Sequence, residues 1–352
     1  MICEFRLMNW RSCRRARLHF ERRNIFIGPN GSGKSNLLEA LGVLGVLRSF
    51  RTVRPAELIT DGSSGFALRG VWQQERRPLL TLEVAMERNG SRSLQINGNS
   101  ESSGRDFIQH FYPVVFAPED MELVCGMPQI RRRFFDMLAC QLDDGYINVL
   151  HDYQRALKMR NLLLKNSRPN LQKLEIYDGL MAFAASDLTL RRQHLIKEFN
   201  NVLKSLSAAP ESVLSVEYRA QCSDGPEVYL ELFARNRSRE LEKRTTLTGC
   251  HLDDYQLFRN QHPMRGFSSN GQNRLAALHC KLSSALMLMR NRGAEQLAAL
   301  VDDVTGELDE YNRQQFYELL KPAGQCFFTF TEQPREKFFA EAKRFDLPQA
   351  LQ

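Results

Sequence analysis

Apolar positions recur along this chain at two spacings, and the switches between them mark its elements. "NIFIG", Asn24 to Gly28, is a short apolar run between polar flanks, the pattern of a strand buried on both faces. It runs into "GPNGSGKS" and then "NLLEALGVL", where Leu37, Leu38, Leu41 and Leu44 fall at helical spacing. Further on, Leu82, Val84 and Met86 alternate as a half-buried strand does. "LLTLEVAMER" and "RSLQING" bracket Asn89-Gly90, which predicts a hairpin, and "GFALRGVW" (Gly65 to Trp72) predicts a third strand of an antiparallel sheet.

From about Pro128 to Ser207 the spacing is helical. "RRRFFDMLACQL" and "INVLHDYQRALKMRNLLLK" make one leg, "NSRPN" (Asn166 to Asn170) breaks it, and a second leg runs from about Leu171 to Ser205. Each leg holds roughly 35 residues, hence about 50 Å, the length of a short arm and far below a long coiled coil. Strand-like alternation returns at "VLSVEY" and "VYLELF" (Val213 to Phe233). After "GFSSNGQ" comes a helix with Leu275, Leu278, Leu282 and Leu286 on one face, ending at Asn291-Arg292-Gly293. "LAALVDD" predicts a buried strand, "ELDEYNRQQFYELLK" a helix and "CFFTFT" a last strand.

Composition narrows the classes this pattern permits. No window approaches ~18 uninterrupted apolar residues, so a transmembrane span is not expected. The N-terminal apolar stretch is short and flanked by charge on both sides, unlike a signal peptide. Eight cysteines without a Cys-x-x-Cys pair predict reduced thiols, a cytoplasmic location and no structural zinc site. The net charge of +7 gathers in clusters, at Arg11, Arg14, Arg15, Arg17, Arg22 and Arg23, at Arg48, Arg51 and Arg54, and at Arg131 to Arg133. Such clusters suit a polyanion, although a charge of this size is also common on proteins that touch none.

Two stretches carry nucleotide chemistry. Gly28 to Ser35 fits G-x-x-x-x-G-K-[ST] in full, between a strand and a helix. The loop of Gly28, Pro29, Asn30, Gly31, Ser32, Gly33, Lys34, Ser35 and Asn36 would close around the phosphates of ATP at a helix N-terminus, every residue but Pro29 having a backbone N–H to offer. Lys34 would reach the β- and γ-phosphates, and Ser35 would ligate Mg²⁺. "LAALVDD" ends in Asp302 and Asp303. A carboxylate at a strand tip suits the same Mg²⁺, so Asp302 is a metal candidate and Asp303 a candidate to orient or deprotonate the attacking water. A solvated acidic cap is the other reading of that pair.

"SSNGQ" begins a helix about 30 residues before the Asp pair. Its Ser269, Gly271 and Gln272 resemble the Ser-x-Gly-Gln signature of ABC-type ATPases, which in that family closes over ATP held by a partner subunit. Lys34 and Asp302 stand at opposite ends of the chain with helices between, which resembles the SMC-like branch. "NWRSC", "RSFRT", "VVFAPEDMELVCGMPQIRRRFFD", "YQRALKMRNLLLK", "SSNGQNR" and "LVDDVTGELD" together are similar to the RecF family of bacterial DNA replication and repair proteins, across nearly the whole chain.

The resemblance implies an α/β fold: an ABC-type P-loop ATPase head, with a mixed sheet plus an antiparallel β subdomain, and an inserted helical arm. The head would comprise residues 1–127 and 208–352, and the arm 128–207. It implies a weak, DNA-stimulated ATPase that dimerises with ATP on double-stranded DNA and at single/double-strand junctions. Slow hydrolysis would reopen the dimer, in recombinational repair with RecO and RecR that assists loading of RecA, away from any membrane. Two alternatives stay open, another SMC-like ABC ATPase and an ATP-gated binding module with vestigial hydrolysis.

Thr329 or Thr331 would occupy the place of the transporters' switch histidine, and Glu119 in "FAPED" lies where a Q-loop enters, a Mg²⁺-side candidate with a catalytic role. "GCHLDDY" (Gly249 to Tyr255) departs from the family's Gly-Pro-His-Arg-Asp-Asp-Leu at Leu252, and Asn270 departs from the transporters' signature glycine. His251 is expected to hydrogen-bond within its own turn, Trp10 to pack, and Arg51 to contact nucleotide or DNA. Arg131 to Arg133 are either a DNA-facing arm surface or a solvated helix start.

Overall fold

The structure, a computed structural model, describes all residues except 53, 74–77, 102, 207–212, 223–224, 305, 307 and 349–352. The chain divides into two compact units, Met1–Asp120 with Ser284–Gln352, and Met121–Ser283. The expected arm boundary at 207/208 lies outside the described residues, as do parts of "LVDDVTGELD".

In the first unit, burial alternates along β1 (Ile2–Trp10), β2 (Cys13–His19), β4 (Gly65–Trp72) and β5 (Leu80–Glu87), so each strand has one core face. With β6 (Arg92–Ile96) and β7 (Asn99–Glu101) they form an antiparallel sheet ordered β2-β1-β4-β5-β6-β7. The Asn89-Gly90 turn closes the β5–β6 hairpin, with Gly90 at φ 88° and its N–H donating to Glu87 O at 3.0 Å. The short helix α2 (Gly104–Ile108) follows β7.

Four almost wholly buried strands and one partly exposed edge strand make the second sheet of this unit. They are β3 (Arg23–Ile27), β8 (Tyr112–Phe116), β12 (Leu297–Asp302), β13 (Gln325–Phe330) and β14 (Lys343–Asp346), all parallel, in the order β14-β3-β13-β12-β8. Parallel and antiparallel strands thus segregate into separate sheets. Helix α1 (Lys34–Val46) packs against both, and its residues from Leu37 to Gly45 are all buried, as a central helix requires. On the parallel sheet, Phe20, Phe26, Phe327 and Phe345 interlock edge to face and stacked. Helix α9 (Glu310–Leu320) sets Phe316 and Tyr317 against Phe116 and Phe328.

The second unit holds α3 (Glu122–Cys125), α4 (Pro128–Leu142), α5 (Tyr146–Lys165) and α6 (Leu171–Ser205), then β9 (Leu214–Arg219), α7 (Pro226–Lys243), β10 (Asp254–Arg259) and β11 (His262–Pro263). Helix α8 (Asn270–Arg292) starts in it. The second strand expected after the arm is not one: "VYLELF" lies inside α7. Pro226 at the helix start pre-sets φ, and Tyr229, Phe233 and Glu240 are buried at intervals of four and seven, a helical repeat that a six-residue window cannot separate from alternation.

Arginines stitch this unit together. Arg160 is fully buried, with Nε 2.6 Å from Asp178, Nη2 2.6 Å from Glu240 and Nη1 2.9 Å from Thr246 Oγ1. Removing the arginine leaves two buried carboxylates without their shared cation. Arg160→Met is expected to destabilise the protein by roughly 3–5 kcal/mol, read from urea unfolding followed by circular dichroism.

Candidate nucleotide site

The phosphate loop grows out of β3 because the strand ends where three glycines release the chain from its usual conformations. Gly31 and Gly33 sit at φ 80° and 99°, which other residues adopt with strain. A Cβ at Gly28 would stand 2.5 Å from Leu347 O and 2.8 Å from Ser32 Oγ. Gly33 caps α1 without a side chain, so no side-chain group takes up the amides of the first turn. Those amides and the helix dipole favour an anion. Ser32 Oγ is buried with no hydrogen-bond partner, an orphaned hydroxyl that a phosphate oxygen would satisfy.

Lys34 Nζ donates to Gly28 O at 2.6 Å and to Pro29 O at 3.0 Å, so the ammonium is held over the loop. Burial lowers its pKa, while Asp303 and Asp302 act in the opposite sense. Pro29 and Asn30 are exposed at the loop's tip. Asn36 accepts twice, its backbone O from Trp10 Nε1 at 2.8 Å and its Oδ1 from Arg51 Nη1 at 2.9 Å. Trp10 therefore packs, edge-on to Phe66 at 4.8 Å, and also braces the first turn of α1.

The sheet order explains the other half of the centre. Strand β13 lies between β3 and β12, so residues at the three strand tips stand side by side, with Asp302 beside Thr329 and Thr329 beside Phe26. Ser35 Oγ donates to Asp302 Oδ1 at 3.0 Å, across 267 positions of sequence. Thr329 Oγ1 donates to the same oxygen at 2.9 Å and accepts from Asp303 N at 3.0 Å. Of the two threonines left open by the sequence, Thr329 makes these contacts, and Thr331 is exposed. Asp303 is exposed at φ 52°, a left-handed conformation that aspartate tolerates better than most residues and that often marks functional turns. A hydroxyl and a carboxylate converging this way match the oxygen ligands Mg²⁺ takes beside bound phosphates.

Glu119 is exposed in the 3₁₀ turn Pro118–Met121 after β8, and among the described residues no hydrogen bond joins it to Ser35 or Asp302. Glu39 went unnoticed in the sequence. It is fully buried in α1, accepts both Arg11 Nε and Nη2 (2.7 Å for the latter) and the Ser49 hydroxyl, and lies 3.9 Å from Arg51 Nη1. A carboxylate in an otherwise apolar helix was the available signal. It holds Arg51 against Asn36.

Ser269, Gly271 and Gln272 belong to the second unit. Gln272 N donates to Ser269 Oγ at 3.3 Å, and Ser269 N to Gln272 Oε1 at 3.1 Å, a reciprocal capping box at the start of α8. Gly271 is exposed, with open space where a Cβ would stand, and Asn270 is the first helical residue. In the same unit the "GCHLDDY" turn is an anchor. Arg192 Nη1 donates to Asp253 at 3.0 Å, and Gln221 N donates to it at 2.8 Å. Arg131 grips Asp254 at 2.9 and 3.0 Å and is buried, and Arg132 donates to Asp253 O at 2.6 Å. Neither reading offered for this arginine run fits Arg131, which is a structural cation. Leu252 is 42% exposed, outside the network. His251 Nδ1 is 2.6 Å from the Tyr153 hydroxyl, 98 positions away, rather than bonded only within its turn.

Fold and loop define the class, an ABC-type P-loop ATPase head with inserted helices. The family model described as RecF/RecN/SMC N terminal domain matches residues 1–346, and the chain belongs to that family. It is 32% identical to the DNA replication and repair protein RecF of Geobacillus kaustophilus, over 92% of this chain and 91% of that one. It is 34% identical to the same protein of Bacillus cereus strain B4264, over 94% and 92%. A solved structure described as the recombination mediator protein RecF-ATP in the RecFOR pathway superposes with TM-score 0.89 at 28% identity, covering 96% of this chain and 93% of that one. The Smc head domain of Pyrococcus furiosus shares the fold at TM-score 0.51 and 16% identity.

Two predictions follow from these contacts. Thr329→Val leaves the Asp303 amide unpaired, and is expected to cost about 1–3 kcal/mol in urea unfolding and to slow phosphate release. Burial depresses the His251 pKa from 6.5 to about 4, against a backbone hydrogen bond with Thr246 and aided by Arg132, Arg160 and Arg192. The unfolded chain then takes up this proton first, so the stabilisation is whole above pH 6.5 and is lost as pH falls from 6.5 through 4. The loss is about 3 kcal/mol, and unfolding curves of His251→Gln should lack that part of the slope.

Proposed function

We propose that this chain is an ATP-driven DNA-binding switch of recombinational repair, the reading its RecF relatives support. The observation that carries it is the meeting of Ser35, Asp302 and Thr329 beside a loop built for phosphate. Lys34 would neutralise charge on the β- and γ-phosphates, and the backbone N–H groups of the Gly28 to Asn36 loop, Pro29 excepted, would hold their oxygens. Ser35 and Asp302 would hold Mg²⁺, which when bound screens the phosphate charge. Asp303 would orient the attacking water. Its side chain is one methylene shorter than glutamate, which favours slow turnover.

Ser269, Gly271 and Gln272 would be offered to the ATP of a second copy, making the dimer ATP-dependent. Duplex DNA and single/double-strand junctions are the polyanions in this reading, with DNA-stimulated hydrolysis reopening the dimer. The family likeness extends it to RecO and RecR as partners, to assistance of RecA loading, and to a place of action in the cytoplasm. Glu119 stays a candidate for the Mg²⁺ side. The 1–127/208–352 head and 128–207 arm stay the proposed functional division.

Light scattering with and without ATP and duplex DNA tests the switch. Wild type should dimerise with ATP, and Ser269→Arg should stay monomeric while still binding nucleotide. A dimer indifferent to both nucleotide and this change would sink the composite site. The exposed, left-handed Asp303 also favours a second reading, an ATP-gated module with vestigial hydrolysis. It holds if Lys34→Arg and Asp303→Asn both leave DNA-stimulated phosphate release unchanged while ATP still drives dimerisation.

A further inference from the structure

Strand register brings three arginines abreast on the open face of the antiparallel sheet. Arg17 on β2 stands opposite Arg6 on β1, and Arg6 opposite Arg69 on β4, with Glu83 of β5 next in the row. The parallel row two residues along the same face holds Arg15, Met8, Ala67 and Ala85. The other face of the sheet carries Phe5, Leu7, Leu68 and Val84 into the core. Between the rows lies a groove of about 440 Å³ whose floor is the two alanines.

Packing does not account for this row. Like charges directly opposite on neighbouring strands destabilise a sheet, and here two such pairs adjoin. Glu4 serves both Arg6, at 2.6 Å, and Arg17, at 2.5 Å. Glu83 lies 3.2 Å from Arg69 Nε, yet that N–H is shielded from water and makes no hydrogen bond. Arg15 has no ion pair among the described residues. Four guanidinium groups thus face two carboxylates and leave two positive charges unmatched. The arginines of the row stay 42–57% exposed and available.

The chemistry of the missing anion follows from the same geometry. Guanidinium forks at strand spacing, about 4.8 Å apart, match a run of phosphate oxygens. Among the described residues no aromatic ring lines the groove, so they offer no platform for the unpaired bases of a single strand. Ala67 and Ala85 keep the floor low enough for a backbone to lie across the strands. We propose that this groove binds the phosphodiester backbone of a DNA duplex, a contact that none of the phosphate-loop residues lines. It rests on the DNA reading above and gives it a location.

Fluorescence anisotropy of a short labelled duplex, with the full chain and ATP, over a series of salt concentrations, tests it. Arg15→Gln/Arg69→Gln should weaken binding roughly tenfold and flatten the slope of log K against log salt by about two. Glu83→Gln, which removes the competing carboxylate, should tighten binding, an effect that a purely structural row would not produce and one that stands even if the double variant folds poorly. Wild-type affinity and slope retained by the double variant, or weaker binding by Glu83→Gln, overturns the groove while leaving the switch intact. A wild-type chain that binds no duplex overturns both.

Discussion

One oxygen of Asp302 accepts hydrogen bonds from residues 35 and 329, and neither bond can form until the parallel sheet has closed. The strand that carries Thr329 must first slot between the strand before the phosphate loop and the strand ending in Asp302. Those strands come from both ends of the chain, so the candidate nucleotide centre is a readout of completed folding rather than a local motif. The interlocked Phe20, Phe26, Phe327 and Phe345 do the same work beneath it, since each ring comes from a segment useless to the others until the ends meet. Long-range closure of this kind carries an entropy cost that local elements do not share.

What the sequence displayed follows that division. Gly28 to Ser35 was legible because its chemistry is local: glycines at positive φ, a lysine, a hydroxyl and the first turn of a helix occupy successive positions. The tip of "LAALVDD" was legible because a strand buried on both faces announces itself as an unbroken apolar run. The choice between Thr329 and Thr331 was not, because it depends on strand register, and a shift of two residues keeps the same face of the sheet. Packing of Trp10 was legible, but its indole hydrogen bond and the role of Glu39 were opaque for a related reason. Their partners, Arg11 and Asn36 O, are set by how helix α1 meets the sheet, which no spacing reports.

The error at "VYLELF" has the same root. Six residues alternate as well as they recur at helical spacing, and only Pro226 before them and the buried Glu240 beyond them decide the matter. In that second unit, burial of Arg131, Arg160 and Arg192 inverts the usual reading of arginine as surface charge. Each is matched by carboxylates supplied from distant helices or turns. The acidic pair of "GCHLDDY" is held this way, while Leu252 just before it is partly exposed and leaves the pairing untouched.

Net charge is therefore a weak guide to where a polyanion would sit, and pairing is a better one. Arg11 is committed to Glu39, Arg51 to Asn36, Arg131 to Asp254 and Arg160 to two carboxylates, so those four side chains have little left to offer. The open sheet face differs in kind. The ion pairs of Glu4 with Arg6 and Arg17 have half-exposed arginines, and pairs near the surface contribute about 0–1 kcal/mol each, so exchanging them for a phosphate costs little. A buried pair cannot be exchanged so cheaply, because the partner left behind stays desolvated. Arginines on β1, β2 and β4 are therefore able to change partners, and there three of them stand abreast, so an anion that this unit engages through several guanidinium groups at once meets little resistance.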